Sequence, residues 1–193
     1  MNQQFDLNEI EKCLPKKEAA IKKYFSIINM LHCCNVSSDQ EFQRLYNGFY
    51  RLRLPASEYY RKHFDYLEKN KNNTHLAFRD VLSYMSNTTG RVEASFSSKI
   101  IATINPNMPV WDSNVLSNLL ISTPQGSFQD KIEQSVKIYD ELCDYYDKFM
   151  ITDNAKDIVK TFDNLFPQYG SITNIKKVDL AIWSLGIKPK KKI

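Results

Sequence analysis

The chain has 193 residues, and 42% of them are hydrophobic, which is enough to bury a core. A chain of this length is most simply one domain, spanning residues 1–193. With five glycines and seven prolines, the composition argues against extended disorder. The net charge of +4, from 26 basic and 22 acidic residues, permits a nucleic-acid partner without requiring one.

The first half of the chain predicts helices only. Apolar residues recur at helical spacing and are interrupted by prolines or polar runs such as 69–73. Helix starts are predicted at residues that suit a first turn: Pro15, the capping box Ser38–Glu41, Ser57 and Thr74. The helix that starts at Thr74 should end near Gly90, so that residues 74–104 form a helix, a tight turn and a second helix.

The segment 93–121 places a lysine and an aspartate near two neighbouring helix ends. Lys99 lies in a predicted helix whose apolar face is Phe96, Ile100, Ile101 and Ile104, and Pro106 and Pro109 stop that helix. Asp112 occupies a predicted N-cap, followed by a helix through Ile121 with Val115, Leu116, Leu119 and Leu120 at helical spacing. A helix N-terminus of this kind favours phosphate.

The second half continues the helical pattern. A loop at 122–127 precedes a long helix over Phe128–Met150, and Asp153 or Asn154 should cap the next one. The last helix, near Ile175–Leu185, ends before Gly186, and a basic tail follows at 188–193. No strand alternation or internal repeat is evident. We expect an all-α fold: a single compact domain of eight to ten helices. An arrangement of these helices as two lobes around a cleft is also open.

The cysteines and histidines argue against a metal centre. Neither a Cys-x-x-Cys pair nor a His-x-x-x-His pair occurs, so we expect no zinc, no iron–sulfur cluster and no other cofactor. The N-terminal residues lack the pattern of a signal peptide, and no stretch approaches the length of a membrane span. The sequence therefore predicts an intracellular, cytoplasmic protein that does not act on a membrane.

The order of helix, proline-containing turn and Pro109-Val110-x-Asp112-x-x-Val115 resembles the catalytic segment of the helix-hairpin-helix DNA glycosylases, the family of endonuclease III and the 8-oxoguanine glycosylases. The resemblance covers residues 82 to 120, with the turn 87–93 at the position of the hairpin. It implies excision of a damaged or modified base from DNA. The missing cysteine cluster separates this chain from the iron–sulfur branch of that family.

The resemblance also implies roles for particular residues. Asp112 would act at the sugar C1′, and Lys99 would be the candidate for a Schiff base with the sugar. A flipped base would be received by aromatic side chains, for which the candidates are Trp111, Phe96 and Tyr84. The DNA duplex would be contacted by the turn and by the basic tail, through Gly90, Arg91, Lys190 and Lys191. The protein would act as a monomer.

Other interpretations of the same residues remain open. Asp112 could serve only as a helix cap, Lys99 and Arg91 as surface residues, the aromatic residues as core, and the tail as a solvated end. The chain would then be a non-catalytic helical module that binds DNA or another protein. A third possibility is a helical enzyme with a small-molecule substrate held between two lobes.

Overall fold

The structure is a computed structural model that describes residues 4–53 and 56–186. Ten α-helices occur in these ranges: α1 Leu7–Cys13, α2 Glu18–Met30, α3 Gln40–Tyr50, α4 Ser57–Asn70, α5 Phe78–Thr89, α6 Ala94–Ile104, α7 Ser113–Asn118, α8 Phe128–Met150, α9 Asp153–Leu165 and α10 Asn174–Ser184. Short 3-10 turns lie at Leu14–Lys17 and Pro167–Tyr169, and the described residues contain no strand. The expected all-α fold is confirmed.

The buried apolar side chains form one contiguous cluster. Large aromatic residues fill its N-terminal part, where Phe42 and Tyr46 of α3 are almost completely buried against Phe64 of α4. Tyr24 of α2 is equally buried and packs against Phe49 of α3. The main helix pairs are α2 with α3, α5 with α6, and α9 with α10, while α7 packs on α10. None of the helices in the described ranges has both the length and the apolar character needed to cross a bilayer.

The α6 helix is the central element of this core. Eight consecutive positions, Ser97 to Ile104, are buried, so the helix has no solvent-facing side over its second half. A helix that is enclosed all round normally carries apolar residues, and polar residues within it need partners. Thr103, for example, donates to the carbonyl oxygen of Lys99 at 2.7 Å and is also hydrogen-bonded to the hydroxyl of Tyr50 at 3.0 Å.

Several predicted helix starts were wrong by a few residues, each for a local reason. The cap of α3 is Asp39, whose Oδ1 accepts from the N–H of Phe42 at 2.7 Å, and the predicted capping box from Ser38 does not form. The α5 helix begins at Phe78 instead of Thr74, because Asn73 accepts from the N–H of His75 and forms an Asx turn that delays the helix.

Three further predictions on helix ends are corrected. The cap of α9 is Thr152 instead of Asp153 or Asn154, and Ala56, which offers no side-chain cap, precedes α4 instead of Ser57 capping it. The α7 helix ends at Asn118, well before Ile121, and Leu120 is 81% exposed instead of belonging to an apolar face. Leu120 has φ +59°, a left-handed backbone that turns its side chain away from the core.

The turn between α5 and α6 depends on Gly90. Gly90 ends α5 in the left-handed conformation with φ +69°, and its N–H donates to the carbonyl oxygen of Ser86 at 2.8 Å. A Cβ atom at this position would meet no neighbour within 4 Å, so only the backbone conformation requires glycine. Gly48, in contrast, lies on the exposed side of the helix α3.

These two glycines give opposite stability predictions. Gly90→Ala should lower the free energy of unfolding by about 1 kcal/mol, because alanine is strained at positive φ. Gly48→Ala should raise it by about 0.5 to 1 kcal/mol through helix propensity. Urea denaturation followed by tryptophan fluorescence measures both changes. A Gly90→Ala variant as stable as the parent would contradict the assigned helix end.

Candidate functional site

A pocket of about 1080 Å³ lies between the end of α3, the middle of α6, the segment around α7 and the helix α10. Its walls are mixed in character: apolar side chains such as Val110 and Leu180, the aromatic residues Tyr50, Trp111 and Trp183, and several charged groups. This volume is slightly above the usual range for ligand pockets, roughly 300–1,000 Å³. The two residues singled out in the sequence, Lys99 and Asp112, both line it.

Lys99 enters the pocket from the buried helix α6. Lys99 is only 7% exposed. Its Nζ donates to the backbone carbonyl of Tyr50 at 3.0 Å and lies 4.9 Å from the ring centre of Phe96. Burial lowers the pKa of Lys99 to about 8, although the negative charges of Asp112 and Glu93 oppose this shift. A fraction of the amine is therefore unprotonated, and nucleophilic, near neutral pH.

Asp112 opens α7 as its N-cap, as the sequence predicted. Its Oδ1 accepts from the N–H of Asn114 at 2.8 Å. Burial raises the pKa of Asp112; the hydrogen bond from Asn114 lowers it, and the nearby negative charge of Asp179 raises it further. A partly desolvated carboxylate of this kind is a stronger base than an exposed one.

Two hydrogen bonds fix the segment that leads to Asp112, one to the helix of Lys99 and the other to α8. The N–H of Trp111 donates to Oγ of Ser98, the neighbour of Lys99, at 2.9 Å. The hydroxyl of Tyr139, from α8, donates to the carbonyl oxygen of Pro109 at 3.0 Å. Pro106 and Pro109 end the preceding helix as expected, and these bonds then fix where the turn returns to the core. The lysine and the carboxylate are thereby positioned by one rigid connection.

A buried ion pair in the same pocket was missed from the sequence. Lys176 and Asp179 of α10 are 1% and 5% exposed, and Nζ of Lys176 donates to Oδ2 of Asp179 at 2.8 Å. The hydroxyl of Tyr146 donates to Oδ1 of the same carboxylate at 3.0 Å. The available signal was a lysine and an aspartate three positions apart at the start of the apolar stretch of α10. A pair so completely desolvated marks a candidate functional site more strongly than a surface pair does.

The structure separates the other predicted site residues from this pocket, except Trp111, which lines it. Phe96 contacts the ammonium of Lys99 without lining the pocket. Tyr84 stacks on Tyr66 with 4.2 Å between ring centres, and its hydroxyl donates to the carbonyl oxygen of Lys62 at 3.4 Å. Neither Phe96 nor Tyr84 therefore belongs to the wall around Lys99 and Asp112.

The predicted DNA contacts lie elsewhere on the molecule. Gly90 and Arg91 form the α5–α6 turn, outside the pocket lining, and Arg91 has an exposed side chain that pairs with Glu93 at 3.5 Å. Lys190 and Lys191 lie outside the described residues. No group of three or more histidine, cysteine, aspartate or glutamate side chains in 4–53 and 56–186 is arranged to hold a metal ion.

Comparisons with known proteins were made by family, by sequence and by structure. No protein-family model, no curated protein and no solved structure matches this chain.

The lowered pKa of Lys99 predicts a pH dependence of stability. Between pH 8 and the ordinary lysine value of 10.5, the unfolded chain holds a proton at Lys99 that the folded protein has released. The contribution of Lys99 to the free energy of unfolding therefore rises with pH between pH 8 and 10.5. Below pH 8 the buried amine is charged, and the full cost of burying that charge lowers the stability. Lys99→Met should remove this dependence.

Urea denaturation of the parent and of Lys99→Met from pH 7 to 11 measures this contribution, because ionisation of the tyrosines affects both proteins alike. We expect the difference in unfolding free energy, parent minus variant, to increase from pH 8 upward. A difference that stays constant with pH would show that Lys99 has an ordinary pKa.

Proposed function

We propose that this protein is a DNA glycosylase that excises a damaged or modified base after the nucleotide has left the duplex. The observation that carries the proposal is the common pocket of Lys99 and Asp112. A desolvated amine and a desolvated carboxylate that face one pocket are the two groups that cleavage of an N-glycosidic bond uses. The resemblance of the segment 82–120 to the helix-hairpin-helix glycosylases supports the same reaction.

The chemistry assigns each group a separate task. As the bond between C1′ and the base breaks, the base leaves with the electron pair, and positive charge develops on the sugar. The carboxylate of Asp112 stabilises that charge and takes the proton of the attacking water or amine. With its pKa near 8, the amine of Lys99 can be the attacking group and bonds to C1′ as the base leaves. The C1′–O4′ bond of the sugar then breaks, O4′ takes up a proton, and the opened sugar is joined to Lys99 as a Schiff base at C1′.

The walls of the pocket suit a nucleotide that has left the base stack. Trp111 adjoins Asp112, and Tyr50 and Trp183 also line the pocket, so that aromatic surface is available to a planar base. The charged pair Lys176–Asp179 supplies fixed hydrogen-bonding groups beside this surface. Buried polar groups that hydrogen-bond one substrate and are left unpaired by another discriminate strongly between similar substrates.

A second candidate is a non-catalytic helical module that binds DNA or another protein. It is favoured by the structural partners that both site residues have, since Asp112 caps α7 and Lys99 donates to the carbonyl of Tyr50. In that case neither side chain needs a substrate to explain its position. The two candidates differ in what a change of Asp112 does.

Asp112→Asn and Asp112→Ser separate the candidates, because both replacements can cap a helix while neither can act as a base. For a glycosylase we expect each to lower excision by about a hundredfold or more, with little change in DNA binding or unfolding. Duplexes that carry a panel of base lesions, treated with alkali after incubation, measure excision.

Asp153→Asn is the matched control, since Asp153 is an exposed carboxylate at the start of α9. It should excise like the parent. Full activity of Asp112→Asn would show that its carboxylate is not the catalytic group, and intact strands across a broad lesion panel with the parent protein would favour the non-catalytic module.

A further inference from the structure

Two residues other than glycine have positive φ in the described part of the chain: Arg51 at +51° and Leu120 at +59°. Both follow the C-terminus of a helix, α3 and α7 respectively. At the ends of α5 and α10 the chain adopts this conformation with Gly90 and Gly186 instead. A side chain in left-handed backbone is strained, so glycine is the usual residue at such a position.

Burial of the side chain does not offset this strain, because both side chains are exposed. Leu120 is 81% exposed, although leucine gains stability chiefly by burial. Arg51 is also exposed, and it makes no ion pair with any residue in 4–53 or 56–186. Strained residues that the folded protein does not otherwise need are concentrated at ligand-binding sites.

Both residues line the pocket of Lys99 and Asp112. Because they are exposed as well, they lie where the pocket meets solvent, and their side chains are available to the part of a ligand that stays outside. Arg51 offers a guanidinium, which suits a phosphate, and Leu120 offers an apolar surface, which suits the face of a base. If one nucleotide of a DNA strand occupies the pocket, Arg51 and Leu120 lie beside the neighbouring part of that strand.

We propose that Arg51 and Leu120 bind the DNA strand next to the nucleotide in the pocket, Arg51 at a flanking phosphate and Leu120 against the adjacent base. This inference rests on the proposed function, because it requires a nucleotide in the pocket. It assigns DNA binding to the ends of α3 and α7, whereas the sequence predicted it at the α5–α6 turn and the basic tail.

The test is the affinity of Arg51→Gln and Leu120→Ala for a fluorescein-labelled DNA duplex with a single mismatched base pair, measured by anisotropy. We expect each change to raise Kd by about five- to tenfold, and Arg51→Gln to reduce the slope of log K against log salt by about one. Ile151→Ala is the matched control, because Ile151 is 78% exposed but outside the pocket lining, and it should bind like the parent.

Leu120→Gly separates a binding role from a structural one. Glycine adopts φ +59° without strain, so this variant should have a higher Tm than the parent while it binds the duplex as weakly as Leu120→Ala. Parent-like affinity of Arg51→Gln and Leu120→Ala would overturn the inference and leave the proposed function intact. Weakened binding together with full excision by Asp112→Asn would support the inference and refute the catalytic role of Asp112. A parent protein that binds no duplex would refute both.

Discussion

The desolvation of Lys99 is the constraint on which the site depends. Lys99 lies in a helix that is enclosed from Ser97 to Ile104, so its charge has little water and its amine is held by the carbonyl of Tyr50. Burying a cation in a core is costly, and the protein reduces that cost through a lowered pKa and through nearby carboxylates. The same packing that forms the core thus places an amine of lowered pKa in a pocket wall.

The other charged groups of the pocket extend this arrangement to a second helix. Asp179 is held by Lys176 and by the hydroxyl of Tyr146, and its negative charge raises the pKa of Asp112. The pocket consequently combines two lysines and two carboxylates, one pair closely bonded and the other without a mutual hydrogen bond. Charges that are buried in protein act over a longer distance than charges in water do.

The sequence predicted what local pattern controls. Helix periodicity predicted the all-α fold, the prolines marked the end of α6, and the type of residue at 112 identified the cap of α7. The burial and the tertiary contacts of individual side chains were not predictable in the same way. The enclosure of Lys99 follows from contacts between distant segments and the exposure of Leu120 from one backbone angle, and a window of neighbouring residues contains neither. The spacing of Lys176 and Asp179 is visible in the sequence, whereas their burial and the hydrogen bond from Tyr146 are not.

The most direct test of the account is a crystal structure of the Asp112→Asn variant bound to a duplex with a mismatched base pair, since this variant should bind without cleaving. The account predicts an extruded nucleotide in the pocket, with its C1′ next to position 112 and to the amine of Lys99. A duplex seated on another face of the protein, with the pocket unoccupied, would contradict it.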